Sequence, residues 1–178
     1  SGFITKDELR VLVDITDTGS SSSALNKRRL MRIIRFADTT VGEAMTPLAE
    51  VSGISETRPM KEAMRLVWQH GFNRLPVYRG NITNVKGVLT LATWDLMDPE
   101  LQERPVTDFI RPALYLSPKQ SLDQALPELR SRTDHMAIVV DEFGSAVGIL
   151  TMEDIFEEVV GEIDVGYDFD EFKPARRI

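Results

Sequence analysis

The chain has 178 residues, 42% of them hydrophobic and 28% charged, with a formal net charge of −7. That is globular composition, long enough for one bilobed domain or two small ones, and its acidic balance argues against the basic face a nucleic-acid binder carries. With no cysteine, no apolar run near the roughly 20 residues of a membrane span and charges scattered through Ser1–Leu12, which argues against a signal peptide, the expectation is a soluble, cytoplasmic piece.

In chain order, Thr5–Ile15 has the apolar spacing of a short amphipathic helix, with Leu9, Leu12 and Val13 on one side. Thr16–Ser23 is a polar Gly/Ser linker. Ala24–Ala37 is helical again: Leu30, Ile33, Ile34 and Ala37 form a stripe, and Lys27, Arg28, Arg29, Arg32 and Arg35 line the other face. Such a basic run is a solvated face or, alternatively, a contact for an acidic partner or membrane headgroups. Thr40-Val-Gly-Glu43 is a capping box, and Met45-Thr46-Pro47 ends that short helix.

From Val51 the pattern becomes strand, helix, strand, strand, helix. Val51–Ile54 is a strand, and Thr57 caps a helix to about Gly71 that buries Met60, Ala63, Met64 and Val67. Leu75–Tyr78 and Val85–Leu89 are strands, and Leu91–Met97 is a brief helix stopped by Pro99. The order then recurs. Ala113–Leu116 is a strand, and Ser121 starts a helix with Leu122, Ala125, Leu126 and Leu129 inward, which Pro127 should kink or split. Met136–Val140 and Ala146–Leu150 are strands, and Met152–Val160 is the last helix, with Ile155, Phe156, Val159 and Val160 on one face.

The recurrence is an internal repeat. Gly87-Val-Leu-Thr90 and Gly148-Ile-Leu-Thr151 superpose at an offset of 61, and Met-Thr46-Pro47 has its counterpart in Ile-Arg111-Pro112. One half-unit cannot cover both faces of its own sheet. Two can pack by their sheets, which makes a pseudo-symmetric pair with clefts between the halves. The expected organisation is therefore α/β (α+β): a helical N-terminal segment over 1–38, repeats over 39–104 and 105–163, and an acidic C-terminal segment over 164–178.

Gly148–Asp154 is the chemically informative stretch. Thr151 falls at a helix N-cap, where its hydroxyl accepts from first-turn amides, and Asp154 follows three residues later. Those amides and the helix dipole favour an anion, and a carboxylate there can accept both hydroxyls of a vicinal diol, as on a ribose. The plainer alternative is a capping box in which the two side chains satisfy only each other's backbone.

A duplicated β-α-β-β-α unit closed by Gly-h-h-Thr-x-x-Asp (h, hydrophobic) resembles a CBS-domain pair (Bateman module). The stretches Asp38–Pro47, Gly71–Tyr78, His135–Gly144 and Thr151–Ile163 narrow the resemblance to CorC/HlyC-type transporters, hemolysin-like proteins associated with magnesium and cobalt efflux and related to the CNNM proteins. The resemblance covers about residues 4–172. It implies an adenine nucleotide (AMP or ATP, alone or with Mg2+) between the repeats, a disc-like homodimer of pairs, and regulation of transport rather than catalysis. It also implies a transmembrane domain of the same full-length protein as a partner, at the cytoplasmic face of the inner (plasma) membrane.

Carried over by position, the resemblance implies one binding site. Thr46 and Val51 would form the rim and adenine pocket, and Phe72, Asn73 and Pro76 the continuing wall. Ile149 would pack on the base, Thr151 would bind phosphate or ribose, and Asp154 the ribose hydroxyls. Arg74 is assigned to phosphate, since a guanidinium fork suits phosphate oxygens; otherwise it is an ordinary surface arginine. In the symmetric cleft Arg111 stands where Thr46 does and Thr93 where Asp154 does, while Asp95, two residues on, is expected to face elsewhere. One competent site per pair is the prediction.

The remaining candidates are weaker. The acidic run from Glu153 through Asp154, Glu157 and Glu158 to Glu171 contains no Lys or Arg and can attract Mg2+, directly or through nucleotide phosphates. A solvated flank is the simpler account, and no protein-only metal site is assigned. His70 and His135 lack ligand partners at useful spacing. Trp68, Trp94 and Phe109 are core or dimer-interface residues. No phosphate-binding loop, nucleophile elbow or His-Glu-x-x-His occurs, so no catalytic residue is named.

Overall fold

A computed structural model describes residues 21–92, 95 and 98–160. Helix α1 (Ser21–Asp38) leads into α2 (Val41–Ala44). Thr40 caps α2 reciprocally: the Glu43 amide donates to Thr40 Oγ1 (3.2 Å) and the Thr40 amide to Glu43 Oε2 (3.3 Å), the predicted capping box. Strand β1 (Thr46–Pro47) and a 3-10 turn (Leu48–Glu50) follow. The first half then contains β2 (Ile54–Ser55), α3 (Met60–His70), β3 (Arg74–Tyr78) and β4 (Val85–Thr90). The second half contains β5 (Leu114–Leu116), α4 (Leu122–Arg130), β6 (Met136–Val140), β7 (Ala146–Thr151) and α5 (Met152–Val160).

Each half has the same pairing. β2 runs parallel to β3, and β3 antiparallel to β4; β5 runs parallel to β6, and β6 antiparallel to β7. The sheets meet face to face through Val85 and Val88 from one and Met136, Ile138 and Ala146 from the other, with Leu48, Ala113 and Ile149 packed around them. Each sheet's outer face carries its own helices. Met60, Ala63, Met64 and Val67 of α3 bury against Leu75, Val77 and Leu89, and Leu122, Ala125 and Leu129 of α4 bury against Leu116, Ala137 and Val139.

The segments between the helices and sheets cross from one half to the other. Residues 39–47 precede the first half but pack on the second: Val41 lies in its core, the Leu122 amide donates to the Thr39 carbonyl, and β1 adds to β7 in antiparallel register. Residues 101–111 do the converse, with Val106 in the first core and Arg111 bridged to Val88.

Several local expectations change. Helix α1 already includes Ser21–Ser23, the end of the predicted linker. The first strand of the repeat is Ile54–Ser55 rather than Val51–Ile54: Val51 closes the 3-10 turn, and pairing with β3 runs only from Ile54 to Ser55. Thr57 does not cap α3. Pro59 occupies the N-cap position without a side-chain cap, and the free amides of Met60 and Lys61 are satisfied by the carbonyls of Arg104 and Gln102, supplied by the crossing segment. Helix α4 is not split at Pro127: its three buried side chains hold a nine-residue helix that loses one internal bond there. The predicted helix Thr5–Ile15, the run Glu162–Glu171 and most of Leu91–Met97 lie outside the described residues.

Candidate functional site

The crossing of β1 over β7 creates the site, and a glycine permits it. Thr46 lies opposite Ile149 and Pro47 opposite Gly148. A Cβ on Gly148 would stand 2.5 Å from the Thr46 carbonyl oxygen and 2.8 Å from Met45 Sδ, so only glycine admits the strand. Gly87 does the same in the other half, where a Cβ would lie 2.5 Å from the Arg111 carbonyl oxygen. The matched Gly-h-h-Thr sequences therefore mark two equivalent crossings.

At the first crossing, Thr46 Oγ1 donates to Asp154 Oδ1 at 3.0 Å, joining residues 108 apart in sequence. The Thr151 amide donates to Asp154 Oδ2 (2.9 Å), and the Asp154 amide to Thr151 Oγ1 (3.2 Å). The Thr151–Asp154 capping box is therefore formed, and Thr46 is added to it from the other side. A carboxylate offers about four acceptor positions. Two are used here, and two remain for donors such as a diol. Burial pushes the Asp154 carboxyl above the ordinary aspartate range. The hydrogen bonds from Thr151 and Thr46 pull it back only in part, and the nearby Glu157 charge adds to the rise.

Glu153 behaves oppositely. Burial would raise it, but its own backbone amide, the charge and hydrogen bond of Arg74, and Thr151 together hold it below the ordinary glutamate range. Arg74 Nη2 donates to Glu153 Oε1 at 2.8 Å, and its Nη1 to the Asp134 carbonyl at 2.5 Å. Arg74, only 17% exposed, thus ties β3 of the first half to the start of α5 in the second.

Of the predicted residues, Thr46, Thr151 and Asp154 share one hydrogen-bonded cluster, with Ile149 in register beside Thr46. Arg74 joins it through Glu153. Pro76 is buried in β3 opposite Val88, and the Asn73 carbonyl accepts from the Leu91 amide (2.8 Å). Phe72 is 39% exposed and stacks on His70 with ring centroids 5.4 Å apart. Val51 is half-buried and follows the 3-10 turn that leans on β7. Trp68 is 81% exposed and so is not a core residue, whereas Phe109 packs against the first core under Arg104.

Three features escaped the sequence. Glu153 is the partner of Arg74, 79 residues away, and no spacing rule links them. Asp134 and His135 lie at the same junction: the Asp134 side chain is buried, with Oδ1 unbonded and Arg132 Nε 3.9 Å away, and His135 adopts φ +49° while its carbonyl accepts from the Met152 amide (3.4 Å). Asp95 is the third, and it corrects an expectation. Asp95 Oδ2 accepts from the Ala92 amide (2.7 Å), the bond Asp154 makes with Thr151, so the cap of the first half is displaced two residues relative to an offset of 61. The second crossing thus has a capping carboxylate, but Arg111 stands there in place of Thr46.

Among the described residues, no three His, Asp or Glu side chains converge to hold a metal ion, and no helix is long and apolar enough to cross a membrane.

Comparison with known proteins agrees with this architecture. The CBS domain family model matches residues 106–161. The solved CBS domain of a bacterial CNNM/CorC family Mg2+ transporter is 31% identical, covering 93% of this chain and 100% of that one with a TM-score of 0.75. Another, solved in complex with ATP, is 34% identical, covering 74% and 94% with a TM-score of 0.67. The magnesium and cobalt efflux protein CorC of Salmonella typhimurium is 30% identical over 166 residues, 92% of this chain and 56% of that protein. The chain spans 25% to 60% of the length of the curated relatives it matches. With this fold, these crossings and identities above 30% over the whole of a solved relative, the chain belongs to the CNNM/CorC family of Mg2+ transporters and comprises its CBS-domain region.

Proposed function

We propose that this chain is the regulatory module of a divalent-cation (Mg/Co) transporter and binds an adenine nucleotide, AMP or ATP, in the cleft between its two halves. The observation that carries this is the Thr46–Asp154 hydrogen bond, which sets a carboxylate with spare acceptor capacity at the N-terminus of α5, between the halves. The ATP complex of a relative supports the ligand class.

Ribose hydroxyls donate to Asp154, and the base lies along Ile149 and Val51, walled by Phe72, Asn73 and Pro76. Phosphates point to Thr151 and Arg74. Glu153 occupies both Arg74 and an amide of the first turn of α5, the groups a phosphate would use. An incoming polyphosphate must displace that carboxylate, and Mg2+ bound to the phosphates lowers the repulsion between the two anions. The module acts by regulation, not catalysis. It works as a homodimer of pairs, with the exposed Trp68 (81%) on α3 and Phe156 (66%) on α5 available to bury. Its other partner is the transmembrane domain of the full-length protein, at the cytoplasmic face of the membrane.

Those exposed aromatics equally favour a second role, a structural dimerisation module with no ligand. Thermal shift against AMP, ADP, ATP, S-adenosylmethionine and Mg2+, followed by calorimetry, separates the two. A nucleotide at 100 times its Kd adds about 2.7 kcal/mol to stability. No shift with any adenosine compound would leave dimerisation as the function.

A further inference from the structure

Helix α1 uses one side for the fold and leaves the other to solvent. Ile34 is buried, Phe36 packs against the second core, and the helix lies on α4 and α5. The opposite side is basic. Between Ser21 and Ala37 the helix carries Lys27, Arg28, Arg29, Arg32 and Arg35 and no Asp or Glu. The whole chain has a net charge of −7, so the rest of it carries −12. Lys27 and Arg35 make interactions of their own within the chain, whereas Arg28 and Arg29 are exposed. Met31, 40% exposed, lies one turn after Arg28, and Ile33, 62% exposed, one turn after Arg29.

We propose that this outward face of α1 docks on the anionic surface of a lipid bilayer. Guanidinium forks match the oxygens of lipid phosphates. The exposed apolar side chains interleaved with them match the boundary between headgroups and acyl chains, the mixture an interfacial helix presents. A bilayer offers both environments as one continuous plane, whereas an acidic helix would have to supply apolar residues of its own at matched positions. The acidic remainder of the chain opposes docking only weakly, because charges beyond a Debye length of about 8 Å from the surface are screened.

The inference rests on the reading above that the chain serves a transporter at the cytoplasmic face of a membrane. Each arginine near an anionic leaflet contributes about fivefold to affinity. A face of this size therefore binds weakly by itself and gains from a tether to a transmembrane domain, which raises its effective concentration at the bilayer. Helix α1 ends at Asp38, and the same segment continues to Thr46 and its bond with Asp154. A docked α1 thus holds the segment that completes the candidate site against the membrane.

The test uses the full 178-residue chain and vesicles without nucleotide, so that failure here and failure to bind adenosine compounds occur independently. Cosedimentation should be seen with vesicles of phosphatidylcholine and phosphatidylserine, not with phosphatidylcholine alone, and should fall as salt is raised. Arg28→Gln combined with Arg29→Gln should weaken it about 30-fold, with the far-UV spectrum and melting temperature of the chain unchanged. The absence of cysteine permits an orientation readout. An environment-sensitive dye on Met31→Cys should brighten on anionic vesicles, whereas the same dye on Phe143→Cys, at an exposed turn, should not. No binding to anionic vesicles, equal binding to neutral ones, wild-type affinity in the double variant, or equal dye responses at 31 and 143 would each overturn the proposal. So would polyglutamate binding the chain more tightly than anionic vesicles do, with the same dependence on Arg28 and Arg29, which would make an acidic polypeptide the partner.

Discussion

Replacing Asp154 with asparagine separates binding from folding. The side chain is isosteric, and each existing contact has a substitute. Asn Oδ1 can accept from the Thr151 amide, and Nδ2 can donate to Thr46 Oγ1, the two bonds the carboxylate makes at 2.9 and 3.0 Å. The substitution removes charge and acceptor capacity. The carboxylate keeps two positions free for a diol, whereas the amide keeps one and presents a donor where the second hydroxyl must donate. Losing one charge-assisted hydrogen bond costs about 1.5–3 kcal/mol, so adenosine and ATP should bind about 10- to 150-fold more weakly. Stability moves the other way. Because burial raises the Asp154 pKa, the folded chain holds this proton more tightly than the unfolded chain does. The stability this gives is present below the unfolded pKa and is lost as pH rises through the folded one. At neutral pH the charged carboxylate therefore costs the fold something, and asparagine removes that cost. Calorimetry with adenosine, and melting without ligand at pH 7, measure the two effects. Wild-type affinity in the variant, or a melting temperature several degrees below wild type, would refute the reasoning.

The same group predicts a pH dependence: adenosine affinity is flat near neutrality and falls on acidification, with a midpoint above the ordinary aspartate range, while the Asp154→Asn variant shows no such fall in a titration series. Thr46→Ile removes the donor from the other half and places a branched apolar group at the rim; adenosine binding should weaken at least about tenfold by calorimetry, whereas Asp95→Ala, altering the cap of the other half, should leave it unchanged. Glu153→Gln weakens the hold on Arg74 and should tighten ATP binding in the absence of Mg2+ while barely changing adenosine binding. Parallel gains for both ligands would show that Glu153 is not competing with phosphate. Gly148→Ala places a Cβ 2.5 Å from the Thr46 carbonyl oxygen and forces β1 off β7; overpacking of this kind costs about 1–3 kcal/mol, read as a lower urea midpoint together with lost nucleotide binding.

What was legible in the sequence was mostly local. The Thr40–Glu43 and Thr151–Asp154 boxes, the Gly71 helix stop and the inward faces of α3 and α4 follow from windows of a few residues, and all are present. The duplicated Gly-h-h-Thr located two equivalent crossings, although the reason for the glycines, a carbonyl oxygen where a Cβ would go, needed coordinates. Expectations failed where a distant segment overrode a local signal. Thr57 was a sound candidate cap until the carbonyls of Gln102 and Arg104 arrived from the crossing segment to satisfy the amides of α3. The repeat offset, constant through β4 and β7, shifted by two at Asp95, because a cap depends on where the turn closes rather than on the count of residues. The Arg74–Glu153 pair, between residues of different halves, had no local signature.

The crossings also determine what a ligand in the proposed cleft could report. Thr46 belongs to a segment that enters from the first half, while Asp154 heads a helix of the second, and Arg74 reaches from β3 of the first half to Glu153 of the second. Asp154 and Arg74, assigned to the sugar and the phosphates, are therefore already bonded across the boundary between halves, while Thr151 is bonded to Asp154 within the second. A phosphate cannot take Arg74 without replacing its bond to Glu153, which sets the position of one half against the other, and a diol on Asp154 adds to the carboxylate that Thr46 holds from the first half. The nucleotide's binding free energy is then necessarily different for arrangements in which those bonds are made and broken, which is the condition for a ligand to shift a conformational equilibrium. A pocket built from one half alone could bind as tightly and transmit nothing. Between them, Glu153 and Asp154 give the ligand two points of engagement at the same helix terminus: a carboxylate to be displaced from Arg74, and a part-buried one to be engaged by the sugar. Movement of α5 is the common outcome of both.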